Sequence, residues 1–185
     1  MEKDTLFYKI VLIGGNNVDK ENFMKKAANS NQDNPTIGTN MVYTKVTIDK
    51  KTVTVGIVDT ANQERFLLSY ITGYLRGAHG IFIIYDITDK DSFDFAKTSI
   101  NASKNSRPKM SQISLIGNKF NGEDKRIISE KEGNKLALDN GFMFKEVDTN
   151  TGSGIEVAFL EMIKKIKKNN NQNHKIKKYS GCHYL

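Results

Sequence analysis

The sequence predicts a single α/β domain, in which a mostly parallel sheet is covered by helices on both faces and has one antiparallel edge. Apolar runs without alternation, "GIFIIY" at Gly80 to Tyr85 and "ISLI" at Ile113 to Ile116, are typical of parallel strands buried on both faces. Segments with helical spacing lie between the predicted strands. Polar motifs follow four strands, which end at Ile13, Val58, Ile116 and Val147. Sheets of this class bind ligands at the carboxyl ends of their strands.

The first predicted element is a strand at Phe7 to Ile13, followed by a helix, because apolar residues from Val18 to Ala28 share one helical face. Met41 to Ile48 and Val53 to Val58 flank the turn sequence "DKK" and predict a hairpin, which supplies the antiparallel edge. The later helices are predicted at Ser92 to Asn101, Ser129 to Asp139 and Gly154 to Lys168.

The net charge of +7 is concentrated near the end of the chain. From position 164 onward there is no acidic residue, and there are seven lysines: Lys164, Lys165, Lys167, Lys168, Lys175, Lys177 and Lys178. Without these seven, the 28 basic residues fall to 21, equal to the 21 acidic residues. We expect a folded domain at 1–168 and a disordered Lys/Asn-rich tail at 169–185 that meets an anionic surface. A solvated tail without a partner is the alternative.

Composition and termini indicate a cytoplasmic protein. The chain has one cysteine, which excludes an internal disulfide framework. Its first ten residues, "MEKDTLFYKI", lack the basic and apolar regions of a signal peptide. No apolar run approaches the roughly 18 residues of a transmembrane helix.

Three stretches resemble the Rab branch of the Ras superfamily of small GTPases: "VDTANQERF" from Val58, "YLRGAHGIFIIYDIT" from Tyr74 and "GNKFN" from Gly117. "TIGTN" from Thr36 resembles the first switch of that family, and the resemblance runs from Lys9 to about residue 168. It implies a P-loop G domain with a six-stranded sheet, GTP or GDP bound with Mg²⁺, and a GTP-hydrolysing switch that effector proteins read in vesicle traffic.

The phosphate loop of the family, G-x-x-x-x-G-K-[ST], is altered in this chain. Asp19 replaces the second glycine, and Glu21 replaces the Ser/Thr that binds Mg²⁺. The other loop positions of interest are Gly14, Asn17 (in place of a further glycine), Val18 and Lys20. Two carboxylates beside a polyanion repel it by roughly 4 kcal/mol per pair of unit charges at 4 Å and a dielectric constant of 20. We therefore expect the ammonium group of Lys20 to be paired with these acids, although Glu21 could still ligate a metal.

The switch motifs are better preserved. The resemblance assigns Asp59 and Thr36 to the Mg²⁺ site, Thr36 also to γ-phosphate sensing, and Gln63 to the orientation of the attacking water. Asn62 replaces the glycine whose backbone N–H meets the γ-phosphate. Because asparagine tolerates unusual backbone angles, this change impairs that contact without abolishing it.

The base-recognition motif N-K-x-D reads Asn118, Lys119, Phe120 and Asn121. In the family the aspartate accepts two hydrogen bonds from guanine, whereas the amide of Asn121 offers one acceptor and places donors beside it. The loss of a charge-assisted hydrogen bond costs about 1.5–3 kcal/mol. The S-A-K loop of the family, which completes the base site, is replaced by Asp148, Thr149 and Asn150.

The resemblance also identifies an effector face and a lipid-attachment site. The aromatic triad that Rab effectors contact corresponds to Met41, Val58 and Tyr74, so two of its three aromatic residues are absent. The sequence "CHYL" places Cys182 fourth from the end with leucine last, which resembles a geranylgeranylation motif. A single lipid anchors weakly, but a polybasic segment can supply the second signal.

These features favour a membrane-anchored pseudo-GTPase, a monomer that binds Rab-type effectors or regulators on the cytosolic face of a membrane. In this hypothesis nucleotide binding is weak or absent, and Gln63 is not operative. The alternative is a weak GTP/GDP switch with slow hydrolysis, because Lys20, Asp59 and Asn118 persist. Nucleic-acid binding by the tail is disfavoured, since the neutral domain lacks a surface that could follow a phosphate backbone.

Overall fold

The computed structural model describes residues 6–29, 36–38, 41–60 and 71–180. The strands are β1 (Phe7–Gly14), β2 (Thr36–Gly38), β3 (Met41–Ile48), β4 (Lys51–Asp59), β5 (Gly80–Asp86), β6 (Gln112–Asn118) and β7 (Met143–Val147). The helices are α1 (Lys20–Asn29), α2 (Lys90–Ser106), α3 (Glu130–Asp139) and α4 (Ile155–Ser180). A short helical stretch occupies 71–75, and a turn of 3₁₀ helix occupies Glu123–Lys125.

All seven strands form one sheet in the order β2-β3-β4-β1-β5-β6-β7. β1 is parallel to β4 and β5, and the parallel pairing continues to β6 and β7. β3 is antiparallel to both of its neighbours. The predicted mostly parallel α/β fold is confirmed. β2 is an additional short strand at the edge, and its three residues are too few to show a strand period in the sequence.

Helices pack on both faces of the sheet, and each face has its own apolar core. One core joins the sheet to α1 and α4, through residues such as Phe23 and Phe159. The other joins the sheet to α2 and α3, through residues such as Phe93 and Ala137. Every residue of β5 is buried, because alternate side chains enter opposite cores. This double burial explains the continuous apolar run in the sequence.

The helix starts follow local capping chemistry. The Asp89 side chain accepts a hydrogen bond from the backbone N–H of Asp91 and caps α2. Ser129 and Glu132 form a reciprocal capping box at the start of α3. α2 begins two residues before the predicted boundary at Ser92 and continues to Ser106, so its existence was predicted better than its length.

The last helix does not end near Lys168, where the sequence suggested, but continues to Ser180. The expected boundary between a folded domain and a disordered tail at residue 169 therefore falls inside a helix. Residues 181–185 lie outside the described part of the chain. Within the described ranges, no helix is both long and apolar enough to cross a membrane.

The β3–β4 hairpin ends in a tight turn against α4. Asp49 and Lys50 have positive φ angles of 50° and 61°, the pair that a type I′ turn requires. The ammonium group of Lys167 donates to the carbonyl of Ile48 and to Asp49 Oδ2, each at 2.8 Å. One of the seven lysines near the end of the chain is therefore a structural residue that holds this turn.

Candidate functional site

The carboxyl ends of the parallel strands meet at one edge of the sheet, and the polar loops converge there. The Asn118 side chain, after β6, donates to the carbonyl of Val18 in the loop after β1, at 3.1 Å. The Asn150 side chain, after β7, donates to the carbonyl of Phe120 at 2.6 Å. Thr60, after β4, donates to the carbonyl of Leu12 at 3.0 Å. The predicted convergence of these loops is confirmed.

The loop after β1 keeps a tight path around Lys20. A Cβ atom on Gly14 would lie 2.7 Å from Val18 Cγ2 and 2.8 Å from the Ile84 carbonyl, so the backbone requires glycine there. Lys20 begins α1, and its ammonium group donates to the carbonyls of Gly14 (2.7 Å) and Gly15 (2.8 Å). The Lys20 side chain therefore folds back over the loop and is almost fully buried.

The expected pairing of Lys20 with its neighbouring acids is wrong. Asp19 accepts hydrogen bonds from the side chains of Asn22 and Thr149. Glu21 is exposed and lies 2.6 Å from the ammonium group of Lys25. That hydrogen bond lowers the pKa of the Glu21 carboxyl. For Glu21 the physical reason is helical geometry: residues adjacent in a helix do not face each other, whereas Glu21 and Lys25 are four positions apart on one face. Asp19 lies before the helix, and its side chain is engaged by Asn22 and Thr149.

Asp19 adopts a left-handed backbone conformation with a φ angle of 58°. This region suits glycine and costs other residues energy, although aspartate tolerates it better than most. The loop therefore keeps the backbone path of a glycine at a position that now carries a carboxylate. The Asp19 side chain bridges the loop after β1 to Thr149 in the loop after β7.

Asn118 is the central hydrogen-bonding residue at this edge, and it is fully buried. Besides its bond to Val18, its amide nitrogen donates to Thr149 Oγ1 at 3.0 Å. Its amide oxygen accepts from the backbone N–H of Thr149 at 3.2 Å. Together with Asp19, these bonds tie three loops into one network.

Asn121 uses its amide as a donor. Asn121 Nδ2 lies 2.7 Å from Asp86 Oδ2, and the other oxygen of Asp86 accepts from the backbone N–H and hydroxyl of Thr88. Sequence reasoning missed Asp86, which is buried at the end of β5. Its position after a buried strand, at the same edge as the other motifs, was the signal that could have identified it.

Comparisons with known protein sequences identify the family of this chain. A model of the Ras family matches residues 9–168. The chain is 36% identical to Ras-related protein Rab-8A of Rattus norvegicus over 164 residues, which covers 86% of this chain and 78% of the relative. This chain is a Rab-family small GTPase. It is also 35% identical to Ras-related protein Rab-8B of Homo sapiens over 163 residues (86% and 78%). Ras-related protein RIC1 of Oryza sativa subsp. japonica shares 35% identity over 169 residues (90% and 83%).

Membership in the Rab family implies GTP or GDP with Mg²⁺, and Glu21, Asp59 and Thr36 stand at the positions that would hold the metal. Glu21 stands in place of a hydroxyl ligand, but its carboxylate is paired with Lys25. Asp59 ends β4 at the site edge. The backbone of Thr36 lies in β2, and its side chain lies outside the description. Across the described ranges, no group of three His, Cys, Asp or Glu residues is placed to hold a metal.

Two predicted site residues, Asn62 and Gln63, lie outside the described residues, as does Cys182. Lys119 is half-buried and lies 3.6 Å from Glu123.

A pocket of about 230 Å³ separates the phosphate loop from the start of α2; its lining residues are Gly15, Asn16, Asn17, Asp89, Asp91, Ser92 and Phe95. The sequence did not predict the contribution of α2 to this edge.

The structure brings together two of the three positions of the Rab effector triad. Met41 and Val58 are directly opposite each other in the antiparallel pair of β3 and β4. Tyr74 lies in the helical stretch 71–75, partly buried against the core shared with α2 and α3. Near Met41, the exposed rings of Phe7 and Tyr43 have centroids 6.4 Å apart. Sequence reasoning missed this aromatic pair.

Proposed function

We propose that this Rab-family protein is a membrane-anchored pseudo-GTPase, a binding module whose guanine-nucleotide binding and hydrolysis are impaired. The observation that carries the proposal is Asp19, a carboxylate on a left-handed backbone immediately before Lys20. Rab proteins take part in membrane traffic through effectors and regulators, and we retain that role here without the nucleotide dependence.

Asp19 disfavours phosphate in two ways. A nucleotide polyphosphate that approaches the loop meets an added negative charge, worth roughly 4 kcal/mol per pair of unit charges at 4 Å and a dielectric constant of 20. The carboxylate is also held in place by Thr149 and Asn22, so it cannot leave without loss of those hydrogen bonds. Glu21 adds a second negative charge next to Lys20, although Lys25 offsets part of it.

The base side of the site carries a second impairment. An aspartate at position 121 would accept from guanine, whereas Asn121 presents a donor that is already engaged with Asp86. The lost charge-assisted bond corresponds to about 1.5–3 kcal/mol. With the repulsion at Asp19, we expect nucleotide binding at least ~10³-fold weaker than in an intact site, or about 4 kcal/mol.

Hydrolysis is expected to be negligible. Orientation of a water by Gln63 accelerates the reaction only when the γ-phosphate is held in position. In the family a hydroxyl at position 21 helps to hold the metal that positions this phosphate, and here Glu21 faces Lys25. The chain thus keeps the water-orienting residue without the contacts that make it useful.

A weak GTP/GDP switch is the second candidate function, and specific observations favour it. The Lys20 ammonium group remains over the phosphate loop, and Asn118 keeps its bonds to the loops after β1 and β7. A site with this frame could recover affinity from few changes. The two candidates therefore differ in measured affinity and turnover.

Nucleotide content and calorimetry distinguish the two candidates. We expect purified wild-type protein to carry no stoichiometric nucleotide and to bind added GDP or GTP with Mg²⁺ weakly. The triple variant Asp19→Gly, Glu21→Ser, Asn121→Asp should regain affinity, because it restores the loop glycine, the hydroxyl and the base acceptor. Glu130→Gln, an exposed change on α3 outside the loops of the candidate site, is the charge control and should bind as weakly as wild type. Wild-type protein purified with stoichiometric GDP or GTP would contradict the proposal.

The proposed location is the cytosolic face of a membrane, reached by a monomer through a prenylated Cys182 and the lysines near the end of the chain. Two aromatic residues are absent from the effector triad, at Met41 and Val58, so we expect ordinary Rab effectors to bind poorly. The exposed Phe7 and Tyr43 rings beside these positions offer a different apolar contact to a partner specific to this protein.

A further inference from the structure

The outer face of α4 carries a row of lysines. Lys164 and Lys168 are exposed and lie four residues apart, on the side of the helix opposite the buried Met162 and Ile166. With an advance of about 100° per residue, positions 175 and 178 follow on the same side of the helical backbone. These fourteen steps extend over about 21 Å. Lys165 is also exposed, next to the row.

The β3–β4 turn adds two lysines to this side of the molecule. Lys167 fastens the turn to α4 through the Ile48 carbonyl and the Asp49 carboxylate. Lys50 and Lys51, which complete the turn, are exposed. We call Lys50, Lys51, Lys164, Lys165 and Lys168 together the basic surface.

The charges of the basic surface are not neutralised by nearby acids. Asp49 is the acid of the turn, and its hydrogen bond to Lys167, with a further contribution from Lys164, lowers its carboxyl pKa. The side chains of Lys50, Lys51, Lys165 and Lys168 make no hydrogen bond or ion pair with any residue that the structure describes. The nearest acid on α4, Glu161, lies 3.6 Å from Lys145 of β7.

We propose that the basic surface rests on an anionic lipid bilayer and sets the orientation of the domain on the membrane. The inference deepens the proposed membrane-anchored function and rests on it. A bilayer with anionic headgroups is complementary to five solvated ammonium groups spread over two elements, at about 1 kcal/mol for each lysine near such a surface.

The composition of the surface favours a bilayer over nucleic acid. All five cations are lysines, which are compact point charges without the planar fork that arginine uses for bidentate phosphate contacts. No aromatic residue belongs to the surface, whereas proteins that bind single-stranded nucleic acid stack bases on aromatic rings. A fluid layer of headgroups requires no fixed geometry from its partner.

The orientation has a consequence for partner binding. β4 begins at Lys51 and ends at Asp59, so the turn and the loops of the candidate site lie at opposite edges of the sheet. A domain that rests on the turn and α4 therefore directs the loops after β1, β6 and β7 away from the bilayer. Met41 and Val58 lie at that same distant edge, where a cytosolic protein can reach them.

The test uses the full chain without a lipid, as the variant Cys182→Ser, and phosphatidylcholine vesicles with or without phosphatidylserine. Two double variants each remove two charges: Lys50→Gln with Lys51→Gln, and Lys164→Gln with Lys168→Gln. We expect each to lower vesicle association at least about tenfold in a cosedimentation assay. The matched control is Lys125→Gln with Lys131→Gln, which also removes two exposed charges. Lys125 lies just before α3 and Lys131 lies in α3, so vesicle association should be unchanged.

Orientation is measured with dyes attached at Thr52→Cys, next to the turn, and Glu123→Cys, at the site edge. Nitroxide-labelled lipids should quench the first dye more strongly than the second. Equal quenching of the two dyes overturns the proposal. A second contrary result is that the variant of Lys50 and Lys51 binds vesicles as well as the control, whereas substitution of Lys175, Lys177 and Lys178 abolishes binding. Binding to single-stranded RNA without binding to phosphatidylserine also overturns it. Because the assay reports binding through the basic surface, and neither adds nucleotide nor uses a lipidated cysteine, failure of the pseudo-GTPase proposal leaves these outcomes unaffected.

Discussion

A single residue, Asp19, combines an unfavourable backbone angle with a charge at the phosphate loop. We expect Asp19→Ala to lower the free energy of unfolding by about 1–2 kcal/mol, because alanine stays in the left-handed region and loses the bonds to Thr149 and Asn22. Asp19→Gly should remain within about 1 kcal/mol of wild type, because glycine adopts this angle freely. Urea unfolding of both variants measures these differences. If Asp19→Ala and Asp19→Gly lose the same free energy of unfolding, the hydrogen bonds of Asp19, and not its backbone angle, account for the effect.

The chemistry of this site could be predicted from residue types, but its contacts could not. Asp19, Glu21 and Asn121 were identified as departures from a nucleotide site, and their side chains indeed lie at the predicted edge. The sequence did not predict that Asp19 contacts Thr149, 130 positions away. Tertiary packing selects such partners, and a single sequence carries little information about which loops approach each other.

Helix α3 contains a glycine whose role is packing. In most helix interiors, replacement of glycine by alanine stabilises by up to about 1 kcal/mol. At Gly133 a Cβ atom would collide with Tyr85 Oη and lie 2.7 Å from Phe144 Cε2. We therefore expect Gly133→Ala to destabilise by about 1–3 kcal/mol in thermal unfolding. Asn134→Ala, an exposed change in the same helix, is the control and should not destabilise.

A double variant tests the collision directly. The Tyr85 hydroxyl is buried and has no hydrogen-bond partner among the described residues, so Tyr85→Phe alone should be neutral or slightly stabilising. Burial, with the nearby charge of Glu146, raises the pKa of that phenol. In the Gly133→Ala background, Tyr85→Phe should recover part of the lost stability. Strictly additive effects would argue against the contact.

The contact between α4 and the β3–β4 turn predicts a dependence on pH. Lys167→Met should lower the free energy of unfolding by about 1 kcal/mol through the hydrogen bond to the Ile48 carbonyl. Because Lys167 lowers the pKa of Asp49, the contribution of that carboxylate is present above its ordinary pKa of about 4 and is lost as the pH falls below it. The difference in the free energy of unfolding between wild type and Lys167→Met should therefore become smaller below about pH 4. A difference that does not change with pH would contradict a stabilising ion pair between Lys167 and Asp49.

At the scale of elements, buried strands were predicted closely and the last helix was not. β5 and β6 were evident because burial on both faces leaves continuous apolar runs. α4 extends to Ser180 through an Asn/Lys-rich segment that lacks apolar periodicity, so hydrophobic pattern gave no signal there. β2 was missed because a three-residue edge strand is defined by its pairing with β3.

Across the whole molecule, the sheet separates two functional edges. The loops of the nucleotide-type site lie at the carboxyl ends of the strands, and the basic surface lies at the other end, beside the β3–β4 turn. If the proposed membrane orientation holds, the membrane and a protein partner would not compete for the same surface. The overall charge of +7 is therefore concentrated at the end of the molecule opposite the loops of the site, which the total alone does not show.

The anchor of the full protein should require both a lipid and the lysines. In cells, Cys182→Ser is expected to release the protein from membranes, because charge alone at physiological salt gives a weak and screened attraction. Neutralisation of six lysines, with the structural Lys167 retained, should weaken membrane association in a salt-sensitive manner at about 1 kcal/mol per lysine. The six are Lys164, Lys165, Lys168, Lys175, Lys177 and Lys178. Fractionation of cells that express each variant measures this, with Lys125→Gln and Lys131→Gln as the control. If the Cys182→Ser protein stays on membranes, prenylation is not the anchor, and the lysine variant in that background then distinguishes retention by charge from retention by a protein partner.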